Sequence, residues 1–320
     1  MARAGLGGGS IDAGQVGFRI APRINAAGRM EEAMTALELL MSDDEAHTSA
    51  LADRLEDAND LRREEEARTL REALDQLGGA FDPAKDFGVV LEGEGWHPGV
   101  IGIVASRIVE RIHRPTVLIA VTDGQGRGSA RSIPGFDLFA AIDACREHLS
   151  RFGGHRAAAG MDIPADRIGG FRDEFNAEVR DRLRGEQPRP VIRPQLEIPL
   201  EAMTEQLAHM LSYLGPFGMG NPAPVFLARQ VDLTRPAREV GKGHLKLQVT
   251  QFDHTVDAIG FGLVDRVTPE SLGVGPVDLV FKVKLGVFRG RRQVEAHLLD
   301  VRRSDAKDSP ESRLSAVAEG

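Results

Sequence analysis

The proline-rich stretch EQPRPVIRP, residues 186 to 194, divides the chain into two parts with different repeat patterns. Before it, helical and strand-like segments alternate; after it, short strand-like runs follow one another between turn residues such as GKG and FRG. The stretch itself reads as a linker. With 320 residues and 42% hydrophobic content, the chain has material for two or three domains of ordinary size.

Upstream of the linker, Met30, Met34, Leu37 and Met41 recur at helical spacing and predict one amphipathic face. Ser42 and Glu45 form a capping-box pattern, so a helix is expected from Asp43 to Leu77, ending at Gly78 and Gly79. Its charged middle reads as a solvated helix bridging two domains. From Phe87 a strand FGVVL, a glycine-bearing loop, a helix VIGIVASRIVERI and a strand TVLIAV predict a parallel pair with a right-handed crossover. A short strand around GSARS, the helix DLFAAIDACREHL, the loop FGGHRAAAG, a strand AGMDI and the helix FRDEFNAEVRDRL complete an α/β domain. Beyond the linker, PVFLARQVDL, HLKLQVTQF, HTVDAIGFG, VDLVFKVKLGVF and RQVEAHLLDVRR suit a small barrel of about five strands. The tail from residue 304 is poor in large apolar residues and reads as disordered.

The net charge of -8 argues at first against nucleic-acid binding, because phosphate contacts need Lys and Arg. Its distribution changes that reading. Residues 1 to 80 carry 9 basic and 16 acidic side chains, 81 to 187 carry 14 and 16, 188 to 303 carry 15 and 12, and 304 to 320 carry 2 and 4. Basic residues cluster at Lys282, Lys284, Arg289, Arg291 and Arg292, which offers a local anion-binding face. The single cysteine, Cys145, excludes an internal disulfide and a thiolate zinc cluster, and its helical neighbours make it a core residue. The chain has no apolar run long enough to span a bilayer and no signal-peptide pattern at its start, so a cytoplasmic protein without a membrane partner is expected.

Four motifs carry candidate chemistry. In GGHRAAAG, Gly153 and Gly154 let the backbone approach a ligand, with N–H groups for phosphate oxygens and His155 as donor; a tight turn between helix and strand with an exposed histidine is the plainer reading. In GQGRGSARS, Arg127, Ser129, Arg131 and Ser132 suit phosphate binding or a solvated hairpin, and an extended backbone puts Arg131 beside Ser129 and opposite Ser132. In GEGWHPGVIGIVASR, the only tryptophan, Trp96, and His97 precede a helix N-terminus, where an aromatic can stack on a base or pack a domain junction. In PRINAAGRM, Arg23, Asn25 and Arg29 serve phosphates or pin a helix. The nine histidines form no metal-ligand pattern, and there is no Walker-type loop.

In their order and spacing VGFRIAPRINAAGRM, GWHPGVIGIVASR, GRGSARS, GGHRAAAG and LGPFGMGNPAPVF resemble the C-terminal half of bacterial RecJ, over residues 11 to 303. The resemblance implies α/β plus all-β architecture: a remnant of the DHH catalytic domain over 1–30, connecting helices over 31–80, a DHH-associated α/β domain over 81–187, an OB-fold barrel over 188–303 and a tail over 304–320. It implies the substrate-binding half of a metal-dependent exonuclease that degrades single-stranded DNA from the 5′ end in recombination and repair. It places Arg23, Asn25 and Arg29 toward the nucleic-acid channel, and Arg127, Ser129, Arg131, Ser132 and His155 around the terminal nucleotides. Lys282, Lys284 and Arg291 are candidates for a strand track on the barrel.

The Asp-rich and Asp-His-His motifs that hold manganese or magnesium in the family have no counterpart here, so no metal or other cofactor is expected in this chain and inactivity alone is expected. A chain starting at Met1 then reads as a truncated product, a misplaced start or an interrupted reading frame. Expected partners are single-stranded DNA, the DHH domain and recombination and repair proteins. The alternative is a non-catalytic nucleic-acid-binding module working with a partner. A relative acting on short oligonucleotides lacks the long helix and barrel, and those elements with PRINAAGRM also argue against an alanyl-tRNA synthetase.

Overall fold

The computed structural model describes residues 2–304 apart from 8–10, 12, 31, 219, 242, 289 and 290. Arg289 and the tail from residue 305 therefore lie outside the described residues. The chain forms two compact units, Met1–Pro190 and Val191–Gly320.

In the first unit a π-helical turn, Val16–Ile20, runs into α1 (Ala21–Met30), followed by α2 (Met34–Met41) and the 36-residue α3 (Glu45–Ala80). The cap of α3 is Asp44, whose carboxylate accepts the His47 N–H at 3.0 Å; Ser42 stands outside the helix, its Oγ accepting the Asp44 N–H. The helix also continues through Gly78 and Gly79, because packing of Ala73 and Leu77 against the following sheet holds the last turns. The amphipathic face expected from Met34, Leu37 and Met41 is turned outward, with Met34 54% and Met41 75% exposed. Small residues pack instead: Ala27 and Ala36 meet Leu55 of α3. Nor is α3 a solvated bridge, since Leu51, Leu55, Ala58, Glu66, Thr69, Ala73 and Leu77 form one buried stripe at steps of three, four and eight.

The sheet of this unit is built from β1 (Val89–Glu94), then α4 (Pro98–Ile112), β2 (Thr116–Thr122), β3 (Gln125–Arg131), α5 (Leu138–Ala144), β4 (Arg151–His155), β5 (Ala158–Pro164) and α6 (Ile168–Arg182). Strand order is β1-β2-β3-β5-β4, with β1 and β2 parallel and the remaining pairs antiparallel. The stretch read as a loop, FGGHRAAAG, is a β4–β5 hairpin. On one face, Val117, Ile119, Ala130, Met161 and Ile163 meet Ile142 of α5 and Phe171 and Phe175 of α6. On the other, Val89, Leu91, Leu118 and Ala120 meet Val104 and Ile108 of α4 and the end of α3. Cys145 is buried with the first set, and burial pushes its thiol up to about 12, which keeps it an inert thiol.

The second unit contains β6 (Leu196–Glu197), α7 (Glu205–Ser212), β7 (Phe226–Leu233), β8 (Arg238–Val240), β9 (His244–Gln251), β10 (His254–Gly260), β11 (Gly275–Phe288) and β12 (Arg291–Arg303). The pairings β7–β11, β11–β12, β12–β10, β10–β9 and β9–β7 close a ring around Leu247, Val249, Ala258, Leu279, Phe281 and Ala296. The short β6 and β8 are additions to the five strands expected. Register shifts on both sides of β11 shape the ring, one against β12 between Val280 and Phe281 and one against β7: Val277 pairs Val231 and Leu279 pairs Ala228, so Arg229 and Gln230 together face Asp278 in a β-bulge. Gln230 adopts a left-handed φ of 50°, and its displaced N–H donates to Asp278 Oδ1 at 3.1 Å. Ser304 Oγ and Arg302 also donate to this carboxylate, at 2.6 and 3.2 Å.

Burial alone would raise the Asp278 pKa, but these hydrogen bonds and the Arg302 charge hold it below its ordinary value of 3.8. A carboxylate with a depressed folded pKa stabilises above its unfolded value, and that contribution is lost as pH falls through the folded value. Asp278→Asn is therefore expected to cost about 1 to 3 kcal/mol in urea unfolding near neutral pH. The gap between variant and wild type should close below pH 3.8.

Candidate nucleic-acid interface

Alternation along β3 sorts its side chains. Gly126, Gly128 and Ala130 face the core, where a Cβ on Gly128 would stand 2.6 Å from Met161, so Arg127, Ser129 and Arg131 share the other face. The register extends that face across the sheet: Arg131 pairs Ala158 and Ala158 pairs His155; Ser129 pairs Gly160 and Gly160 pairs Gly153. Two strand spacings separate Arg131 from His155, about 10 Å. Between them the floor is Ala158, Gly160 and Gly153, with no side chain larger than a methyl group.

Helix α4 covers the β2–β3 part of this face and gives Arg131 its surroundings. A Cβ at Gly102 would stand 2.7 Å from Arg131 Nη2 and 2.8 Å from Ser129 Oγ, so only glycine admits the guanidinium there. Arg131 donates to Ser129 Oγ at 3.1 Å and to the Ala130 carbonyl at 2.8 Å. Arg29, at the end of α1, donates to the Gly99 carbonyl in the first turn of α4 at 2.9 Å, and a Cβ at Gly99 would collide with the Arg29 backbone. Among the described residues no carboxylate pairs with Arg29 or Arg131. Burial, with the Arg29 charge adding to it, lowers the Arg131 pKa, which marks a desolvated cation short of an anion.

His155 is exposed at the hairpin tip, and its Nδ1 accepts the Ala157 N–H at 3.2 Å, leaving Nε2–H as the donor of the neutral ring. Gly154 makes the tip: its φ is 153°, and a Cβ there would collide with Ala158. Arg127 is exposed at the far end of the face, opposite Asp162, which pairs with Arg151 at 3.2 Å.

The structure places several expected contacts elsewhere. Trp96 is 2% exposed, packed with α3, β1 and α4, and its indole N–H donates to Glu72 at 2.7 Å; a base cannot stack on it. His97 is the N-cap of α4, its Nδ1 accepting the Gly99 N–H at 3.0 Å. Arg23 is held by Glu56 at 2.6 and 2.8 Å and so fastens α1 to α3. Ser132 lies on the opposite face from Arg131, hydrogen-bonded to the carbonyls of Ile133 and Phe136. Asn25 is exposed on α1. In the second unit Lys282 and Lys284 share the outer face of β11, and the side chain of Arg291 lies outside the described residues. Gly99 and Gly102 were missed by the sequence reading; their one-turn spacing in PGVIG is the signal, masked by the apolar run around it.

Among the described residues no group of three or more His, Cys, Asp or Glu side chains gathers to hold a metal ion, so the residues present do not fit a metal centre. What they form is a face with two unneutralised guanidiniums, a hydroxyl and an imidazole around a glycine floor, groups whose chemistry suits an anion. The architecture and this face define a class of protein, a DHH-associated domain joined to an oligonucleotide-binding-type strand ring. Residues 85–181 match the DHHA1 domain and residues 195–300 the RecJ OB domain. The chain belongs to the RecJ family. It is 32% identical over 292 residues to the single-stranded-DNA-specific exonuclease RecJ of Bacillus subtilis, covering 89% of this chain and 36% of that protein. It is 37% identical over 293 residues to RecJ of Dickeya dadantii, covering 88% and 50%. The crystal structure of RecJ in complex with Mg2+ from Thermus thermophilus superposes with a TM-score of 0.78 at 32% identity, covering 92% of this chain and 44% of that one; its Mn2+ complex gives the same TM-score, 0.78. The chain thus spans at most half the length of these relatives.

An uncompensated, half-buried cation costs stability, so Arg131→Met is expected to leave the melting temperature unchanged or raise it, within about 1 kcal/mol. Gly154→Ala, forced into a glycine-only conformation, should instead destabilise by more than about 1 kcal/mol. A several-degree fall for Arg131→Met in calorimetry would show that the residue serves the fold.

Proposed function

We propose that the chain is the strand-holding part of a RecJ-type single-stranded-DNA exonuclease, working from the 5′ end in recombination and repair in the cytoplasm. The observation that carries this reading is the desolvated Arg131 guanidinium, held beside Ser129 and Arg29 with no carboxylate among the described residues. A phosphate fits its chemistry: two guanidiniums and a hydroxyl as donors, and glycines that let the backbone of the strand come close. His155, on the same register row about 10 Å away, is placed to donate to the neighbouring nucleotide. Arg127 borders the same floor, of which Gly153 is part, and Gly154 shapes the hairpin that carries His155. Lys282, Lys284 and Arg291 supply basic residues on the ring for a longer strand.

In this reading phosphodiester hydrolysis belongs to a DHH domain, where manganese or magnesium supplies the activated water, and the residues of this chain bind and orient the strand. Recombination and repair proteins are the partners that this role implies. Support comes from the match to RecJ through both domains and from the arginine-rich face. No described helix is long and apolar enough to cross a membrane.

If Arg29, Arg127 and Arg131 each hold one phosphate, affinity for a labelled oligonucleotide should fall about twentyfold between 50 and 200 mM salt. Fluorescence anisotropy checks this, and binding indifferent to salt would sink the reading. Purified residues 1–320 are expected to release no nucleotides with added manganese. Metal-dependent release from a 5′ end by this chain, free of contaminating nuclease, would overturn that division of labour.

A further inference from the structure

The outer face of the strand ring carries a feature that phosphate binding does not use. Register sets Lys246 of β9 opposite Ile259 of β10, Ile259 beside His297 of β12, and His297 opposite Lys282 of β11. Their sequence neighbours Leu245, Leu247, Ala258, Ala296, Leu298, Phe281 and Val283 are buried, so the four form one row on the outside, a lysine at each end. Directly past β10, Phe261 stands beside this row and is 60% exposed. Its ring meets His297 at 5.3 Å between centroids and His244 at 5.2 Å, both edge-on. His244 is itself fixed, its Nδ1 accepting the Gly262 N–H at 3.1 Å. The next row on the other side is Gln248, Asp257, Glu295 and Lys284. Asp257 reaches across to Lys246 in a long ion pair of 3.9 Å, Glu295 stands 3.9 Å from His297, and the two carboxylates repel phosphate on that side.

We propose that Phe261, braced by His244 and His297, is a base-stacking ledge, with Lys246 and Lys282 holding the phosphates on either side of the stacked base. A large aromatic that folding leaves exposed and that two rings hold in place is preorganised, so a base gains contact without the cost of ordering it. The flanking lysines select a polyanion over a neutral apolar ligand, and the Asp257–Glu295 row keeps the strand to one side. The proposal rests on the reading of the chain as a single-strand binder and adds that the ring grips bases as well as phosphates.

The test uses the full chain with an oligothymidylate and an abasic strand of the same length, which keeps the phosphates and lacks the bases. Phe261→Ala should weaken oligothymidylate binding about five- to hundredfold with the salt dependence unchanged, and leave abasic binding as it was. In Phe261→Trp, oligothymidylate should quench the exposed indole and the abasic strand should not, the native Trp96 being buried at 2% exposure. Wild-type affinity in Phe261→Ala, an equal loss on both strands, or an unquenched indole overturns the ledge while leaving the strand-holding role intact. If the wild-type chain binds neither strand, both proposals fall.

Discussion

The close approach of α4 to its neighbours governs the first unit. Its first two turns lack side chains at Gly99 and Gly102, and the backbone of α1 and the guanidinium of Arg131 occupy that space. A side chain at Gly99 would push the α1 backbone away, and one at Gly102 would displace the Arg131 guanidinium and the Ser129 hydroxyl. Three segments far apart in the chain, around residues 29, 99 and 131, meet because two hydrogen atoms stand where methyl groups would not fit. The α4 backbone that accepts Arg29 also fills the space that solvent would take beside Arg131.

Charge is used locally in this protein, which is why a net charge of -8 is compatible with a face that gathers arginines. Several acids of α3, among them Asp60, Glu65 and Glu72, are spent on arginines of the same helix, as in Glu65 with Arg68 at 2.6 Å. Glu66 is the buried exception, with its side chain 4% exposed; it pairs with Arg62 at 2.6 Å and with Arg107 of α4, joining the long helix to the α/β layer. Arg23 is neutralised by Glu56 in the same way. Arg29 and Arg131 are left over, and the desolvation of Arg131 is a free-energy cost that the fold absorbs.

The second unit separates its two surfaces by strand alternation. Aliphatic and aromatic residues fill the ring, while the outer face divides into rows of different character: lysines and aromatics in one, carboxylates and glutamine in the next. Register creates those rows, and register depends on irregularities such as the bulge at Gln230, held by the buried carboxylate of Asp278.

Much of the fold was legible in the residues. Strand and helix types followed from periodicity, the parallel β1–α4–β2 unit from its order, the division at the proline-rich stretch from composition, and the family from five motifs. The exposed Met34 and Met41, the buried Trp96 and the continuation of α3 through Gly78 and Gly79 were not legible, because each depends on what another part of the chain presents. Of the site, the pairing of Ser129 with Arg131 on one side of β3 came from local alternation alone. That Arg23 is neutralised, that Ser132 turns to the loop after it, and that His155 lies on the same row as Arg131 required tertiary structure. The sequence by itself determined the kinds of elements, their order and the chemistry available, since these rest on contacts between residues a few positions apart. Tertiary structure decided which side chains are spent on the fold and which remain free for a ligand, because burial and charge pairing are set by residues distant in the chain.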